Sequence, residues 1–340
     1  MKLYSNEIVF RGHPDKVCDQ ISDALLDAHL EQDPNSRCAI EVMGGGKNIF
    51  ISGEVTSKAV VDIEGVIKRV IEEIGYEFEY HITNNLGKQS PDIALGTNDE
   101  VGGAGDNGMM FGYAINETKE KLPTAQVILQ KFAKKYDELV KENIGFKPDG
   151  KAQITGYYGE NMRLEKIKTF TICYQNLEDN REELDELLKG FAINLAKFYD
   201  VKIEEFLINP TGRFVIGGFE GDAGLTGRKI VVDNYQSFSN VGGGAFSGKD
   251  ASKVDRSGAY KAREVAKRLI EEKDLYWCEI QVSYAIGKEE PLAIYIVSDL
   301  GNLEPSPSMY EEFKPKNIIK DLWLKAPNFE KRARFGHFED

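Results

Sequence analysis

One order of elements, helix then hairpin then helix then strand, recurs along the chain, and this recurrence limits the possible folds more than any single motif. In the first third, residues 14–32 set Val17, Ile21, Ala24, Leu25 and Ala28 at helical spacing behind Pro14, a residue suited to a first helical turn. Residues 37–42 and 48–55 flank the Gly44-Gly45-Gly46-Lys47 turn as a hairpin. Ile63, Val66, Ile67, Val70, Ile71 and Ile74 then mark an amphipathic helix, and 77–83 reads as its closing strand. The middle third repeats the scheme, with Leu129, Phe132, Tyr136, Leu139 and Val140 on one helix and a hairpin at 152–158 and 166–174. Leu184, Leu187, Leu188, Phe191 and Leu195 form its second helix, and 213–216 its closing strand. In the last third, Ala259, Ala262, Val265, Ala266 and Leu269 share a helical face, 279–286 and 292–297 alternate as strands, and 316–324 is a final helix.

Helices on one side of such sheets predict an α+β fold of three similar subdomains, each a mostly antiparallel sheet with helices on one face. The expected subdomains are 1–103, with a gating loop near 90–105, then 104–218 and 219–340. The shared order does not prove duplication, since no residue-level self-similarity accompanies it. A chain of 340 residues exceeds what one core usually supports.

Composition narrows the function. A net charge of −13 argues against a nucleic-acid-binding protein, and the longest apolar runs are too short to span a bilayer. The first residues lack the apolar core of a signal peptide, and Cys18, Cys38, Cys173 and Cys278 have no C-x-x-C spacing. A reduced, cytoplasmic setting is therefore expected, with neither a disulfide scaffold nor a zinc site. Against this acidic background, residues 211–261 carry a net charge of +2 and eleven of the 33 glycines. A basic, glycine-rich patch in an acidic protein points to a small anionic ligand.

Within that window, 242–257 reads GGGAFSGKDASKVDRS, and Gly243 to Lys249 fits the first seven positions of the phosphate loop G-x-x-x-x-G-K-[ST]. Asp250 stands where Ser or Thr belongs, and no strand leads directly into the glycines. The segment reads either as a phosphate-binding loop of another kind, with Lys249, Lys253 and Asp255 as charge and metal ligand, or as a solvated turn. His13-Pro14-Asp15-Lys16 opens the first helix, where free N–H groups favour an anion; equally, His13 caps the helix and Asp15 complements its dipole. Residues 87–112 form a long glycine-rich stretch whose polar candidates are Gln89 and Asp106. The segments 209–214 and 221–229 add Phe214 and three cations, Arg213, Arg228 and Lys229, with a core aromatic and a solvated face as the alternative.

Taken together, GHPDK at 12–16, DQISDALLDA at 19–28, GEVT at 53–56, GKQSPDI at 87–93, GAGDNGMMFGYA at 103–114, INPTGRFVIGG at 208–218, GDAGLTGRKIVVD at 221–233, the 242–257 segment and CEIQVSYAIG at 278–287 resemble the S-adenosylmethionine synthetase (methionine adenosyltransferase) family. The resemblance implies a homodimer or homotetramer with active sites at the subunit interface, two Mg²⁺ per site and K⁺. It implies that methionine sulfur attacks the ribose 5′ carbon of ATP and that the expelled triphosphate is then hydrolysed to pyrophosphate and phosphate. By similarity, His13, Lys151, Arg228 and Lys249 are catalytic. ATP is bound by these four with Asp106, Asp149, Arg213, Phe214, Asp222, Lys229 and Ala245, and methionine by Glu54, Gln89, Asp222 and Lys253. Asp15 and Asp255 hold Mg²⁺, and Glu41 holds K⁺.

The sequence also departs from the family. Arg11 replaces the usual Glu before GHPDK, which puts a different charge beside the ATP site, and the stretch between Pro91 and Gly103 is about three residues short. The rival readings are a phosphate-loop NTPase or kinase, disfavoured by Asp250, and an inactive nucleotide-binding paralogue acting as a regulatory or structural subunit.

Overall fold

The structure, a computed structural model, describes residues 2–89, 102–177 and 180–338. In chain order the first part runs β1 (Lys2–Val9), α1 (Pro14–Gln32), β2 (Arg37–Gly45), β3 (Asn48–Thr56), α2 (Ile63–Ile74), β4 (His81–Gly87). The middle holds β5 (Gly108–Ile115), α3 (Thr124–Lys141), β6 (Phe146–Tyr158), β7 (Leu164–Asn176), α4 (Arg181–Phe198) and β8 (Ile203–Ile208). The last part holds β9 (Gly224–Leu225), α5 (Val254–Lys273), β10 (Trp277–Tyr284), β11 (Ala293–Ser298) and β12 (Gly301–Leu303), followed by short helices including Pro315–Asp321 and Phe329–Arg332.

Among the described residues the strands form three four-stranded sheets, ordered β4-β3-β2-β9, β1-β6-β7-β8 and β12-β11-β10-β5. Each third of the chain gives its first strand away: β1 joins the sheet of the middle third, β5 that of the last and β9 that of the first. The exchange closes a ring, so each sheet is completed by a strand from another third. Two sheets end in a parallel strand, β4 on β3 and β8 on β7, because α2 and α4 carry the chain back across. The third has only a tight turn between β11 and β12, and that pair is antiparallel.

Two expected strands lie elsewhere. The strand expected at 77–83 begins at His81, because Gly75 ends α2 at φ +108 and the next residues cross to the sheet edge, where His81 N–H donates to Lys47 O. The strand expected at 213–216 is replaced by β8, whose adjacent Glu204 and Glu205 broke the apolar alternation that would have marked it. Residues 213–216 instead run as irregular chain beside β7, with Asn176 N–H donating to Phe214 O. β1 and β5 were absent from the expected pattern. β5 lay hidden in the glycine-rich stretch because Gly112 is a packing glycine: a Cβ there would collide with the α5 backbone at Ala262.

One apolar core joins the first and third sheets, from Ile40 and Ile51 to Val265 and Val282; a second, around Phe132, Tyr136, Phe170 and Tyr174, underlies the middle sheet. The opposite sheet faces expose Met43, Phe50, Met109, Leu207 and Tyr295. α1 is buried on nearly every side from Pro14 to Leu26, so its polar residues must find partners inside the protein.

Candidate active site

Those partners build the site. Asp15, Asp19, Asp23 and Asp27 recur every fourth residue along α1 and so share one face. Leu225 N–H donates to Asp15 Oδ1 at 3.0 Å and Gly227 N–H to Asp19 Oδ1 at 2.8 Å. Gly248 N–H donates to Asp23 Oδ1 at 2.8 Å, and the N–H groups of Asn328, Phe329 and Glu330 donate to Asp27 at 2.9–3.0 Å. One buried helix face thus fixes the 225–229 loop, the 242–249 loop and the C-terminal helix at successive turns. This ladder was missed from sequence, although an Asp-x-x-x-Asp repeat inside an apolar helix was its signal.

At the head of the ladder, Asp15 N–H donates to His13 Nδ1 at 3.2 Å, so the capping alternative for His13 is realised. An accepting Nδ1 leaves the proton of the neutral ring on Nε2. Burial, then the Lys229 ammonium, lower the His13 pKa to about 4. Lys229 Nζ bonds Asp15 Oδ2, and Arg228 Nε lies 3.6 Å from Oδ1. Although burial opposes it, the Lys229 ammonium and the Leu225 N–H hold the Asp15 carboxyl below its ordinary pKa.

β1 leads into this corner. Phe10 N–H donates to Gly150 O at 2.9 Å and Gly12 N–H to Pro148 O at 3.2 Å, which sets Asp149 and Lys151 beside His13. Lys151 is exposed on the open face of β6, opposite Val9. Asp149 is buried and accepts Gly218 N–H at 2.8 Å; burial raises its pKa to about 6. The 213–218 strip passes it, carrying exposed Arg213 and half-buried Phe214, and Asp222 stands exposed before β9.

The 242–249 loop forms the other wall. Lys249 Nζ lies 2.9 Å from Asp255 Oδ2 in the first turn of α5, and Gly244 packs so closely on that carboxylate that a side chain would displace it. Asp250, the residue that breaks the phosphate-loop pattern, is structural instead, since it accepts Cys38 N–H at 2.8 Å and pairs with buried Lys253 at 2.7 Å. Ala245 meets Gly227, which joins this wall to the Arg228-Lys229 loop. Gly105 N–H donates to Ser252 O at 3.2 Å, bringing exposed Asp106 alongside. Glu54 pairs in register with Ala39, which also bridges Lys249, and Gln89 follows β4 two residues past Gly87, the β4 partner of Glu54. Glu41 stands apart, exposed on the open face of β2 opposite Ser52.

Arg11 differs from its expected place beside the ATP site. Its guanidinium is buried away from His13, with Nε on Gln20 Oε1 at 2.8 Å and Nη1 3.3 Å from Asp137. The gating loop expected near 90–105 lies largely outside the described residues.

Among the described residues no group of three or more His, Cys, Asp and Glu is placed to hold a metal. Single carboxylates at Asp15 and Asp255 still suit Mg²⁺, which takes one or two carboxylates together with substrate phosphates and water.

Fold and site define a class: an α+β protein of interlocked sheets whose loops and helix N-terminus gather cations and lone carboxylates in an arrangement suited to a polyphosphate. Three family models match along the chain, the N-terminal domain of S-adenosylmethionine synthetase at residues 1–91, its central domain at 101–214 and its C-terminal domain at 216–340. The S-adenosylmethionine synthase of Mesoplasma florum is 44% identical over 360 residues, covering 99% of this chain and 95% of its own. That of Mycoplasmopsis synoviae is 42% identical over 352 residues, with 99% and 92% covered, and that of Clostridium tetani 40% over 370, with 99% and 94%. The chain belongs to the S-adenosylmethionine synthetase family.

Proposed function

We propose that the protein is a working methionine adenosyltransferase, joining ATP and L-methionine into S-adenosylmethionine. The observation that carries this is the neutral His13 at the α1 N-terminus, its Nε2–H free of the cap, with the Lys229 and Lys151 ammonium groups acting on the ring and Arg228 beside its capping partner Asp15. A thioether sulfur has no proton to lose, so its attack on the ribose 5′ carbon needs no general base. The barrier lies in alignment and in charge that collects on the departing triphosphate. A neutral imidazole that donates from Nε2 to the leaving oxygen meets that charge as it forms, and Arg228, Lys229, Lys151 and Lys249 neutralise the rest. Removing one such preorganised donor typically costs about 3–4 kcal/mol of transition-state stabilisation.

Asp15 and Asp255 would each hold a Mg²⁺, which supplies further neutralisation of the phosphates when bound. Glu41 would hold K⁺. Asp149, Asp106, Arg213, Phe214, Asp222 and Ala245 would bind the nucleotide, and Glu54, Gln89, Asp222 and Lys253 the methionine. The same cations would then hold the triphosphate for hydrolysis to pyrophosphate and phosphate. Exposed apolar residues on the open sheet faces, beside exposed Lys151 and Glu41, support a homodimer or homotetramer with sites at the interface. No described helix is long and apolar enough to cross a membrane. An inactive paralogue is not favoured: Arg11 is turned away from the site and every matched cation is present.

The test is to incubate the protein with ATP, L-methionine, Mg²⁺ and K⁺ and follow the sulfonium product by mass spectrometry. S-adenosylmethionine in step with pyrophosphate and phosphate supports the reading; ATP binding without it, or γ-phosphate transfer to an added acceptor, overturns it.

A further inference from the structure

Behind the 242–249 loop runs a chain of buried polar side chains that the reaction does not use. Arg256 is fully buried on α5 and donates through Nε to Tyr260 Oη at 2.9 Å, and Tyr260 Oη lies 2.8 Å from His337 Nδ1. A guanidinium can only donate. The Tyr260 oxygen therefore accepts from Arg256, and giving its own proton to His337 Nδ1 satisfies both groups and leaves the imidazole proton on Nε2. That nitrogen lies 3.5 Å from Ser247 Oγ and 3.9 Å from Asp233 Oδ2. Burial, with Arg256 next, holds His337 well below the usual imidazole pKa, as a neutral ring requires.

The relay thus has one direction, from Arg256 through Tyr260 and His337 to Ser247, two residues before Lys249. Its other end is also tied to the loop. Arg256 Nη1 reaches Lys249 O at 3.2 Å, and the same guanidinium forks Asp23, which accepts Gly248 N–H. Backbone geometry seats His337 in this chain. Gly336 turns at φ +107, a conformation that favours glycine, and His337 N–H donates to Asp233 O at 3.1 Å. The ring then stands edge-on to Phe246 with centroids 5.1 Å apart, while Phe338 stacks on Tyr235 at 4.7 Å. Three consecutive residues, Ser247, Gly248 and Lys249, are held from beneath by one network.

We propose that Tyr260 and His337 are positioning residues for the reaction, fixing Ser247 and through it the aim of the Lys249 ammonium. The proposal rests on the reading of this loop as the triphosphate site. A flexible lysine can be preorganised only if its backbone is, and misplacement by about 1 Å costs on the order of a hundredfold in rate.

The test uses the full-length Tyr260→Phe protein, with inorganic tripolyphosphate and Mg²⁺ as the probe in calorimetry, beside single-turnover rates and the KM for L-methionine. Tripolyphosphate affinity and the chemical rate should each fall about tenfold, with the methionine KM unchanged. A lowered Tm with both quantities kept at the parent values would make the network ordinary core packing and overturn the proposal. Should Tyr260→Phe fail to fold, Ser247→Ala, at the loop end of the relay, carries the same two outcomes. Lys249→Ala separates the levels. If it leaves tripolyphosphate affinity intact, the reading of the loop itself fails; if it weakens binding while Tyr260→Phe and Ser247→Ala do not, only the relay fails.

Discussion

Asp23 of α1 and Arg256 of α5 meet with no exposed surface on either side chain, the guanidinium forking the two carboxylate oxygens at 2.6 and 2.7 Å. Since Asp23 also takes Gly248 N–H, this pair fastens α1, α5 and the 242–249 loop at one point. Removing one partner strands a buried charge. Asp23→Ala should therefore lower the unfolding free energy by about 3–5 kcal/mol, read from urea titrations. An Asp23→Ala, Arg256→Met double variant should regain part of the loss; equal destabilisation in single and double variants would show that the pair is not coupled.

Lys249 faces Asp255 at 2.9 Å. Its ammonium should matter most once charge develops on the leaving group. We expect Lys249→Ala to slow single-turnover chemistry by about 10²–10³-fold while weakening ATP binding much less. Equal losses in rate and affinity would contradict this role.

The His13 pKa of about 4 lies below the ordinary 6.5. Between those values the unfolded chain binds more protons than the folded one at this residue, so its contribution to stability is complete above pH 6.5 and is lost as pH falls toward 4. Asp149, raised by burial to about 6, works in the opposite sense over part of that window. NMR titration of the ligand-free protein should find the His13 ring neutral at pH 5.5. His13→Asn should flatten the loss of stability between pH 6.5 and 4, and an unchanged slope would refute the assignment.

A Cβ on Gly224 would collide with Pro14 O, where β9 crosses the first turn of α1, whereas one on Gly190, inside α4, meets nothing within 4 Å. Gly224→Ala should push the Arg228-Lys229 loop off Asp15 and abolish most activity. Gly190→Ala should leave activity unchanged and add about 0.5–1 kcal/mol of stability. Activity retained in Gly224→Ala would show that the close approach is dispensable.

Much of this was legible in the sequence, for identifiable reasons. α1, α2 and the hairpins β2-β3 and β6-β7 announce themselves because one face is apolar and the other is not. β8 did not, since Glu204 and Glu205 interrupt its apolar alternation. Nor did β1 and β5, whose sheet partners lie roughly 140 to 180 residues away in sequence, in other thirds of the chain. Motifs pointed to His13, Lys249 and Asp255, and the fold brings Lys249 onto Asp255. Asp19, Asp23 and Asp27 escaped notice because acids in a helix read as a solvated face until burial of α1 is known. Asp250 read as a broken motif, and its role emerges only when Cys38 N–H is seen to need an acceptor.

The most direct measurement is a structure of the assembled enzyme with Mg²⁺, methionine and an unreactive ATP analogue. The account predicts the ammonium and guanidinium groups of Lys151, Arg228, Lys229 and Lys249 within about 4 Å of triphosphate oxygens, counting neighbouring protomers, with His13 Nε2 facing the oxygen on the ribose 5′ carbon. A triphosphate seated away from Lys249 and His13 would contradict it.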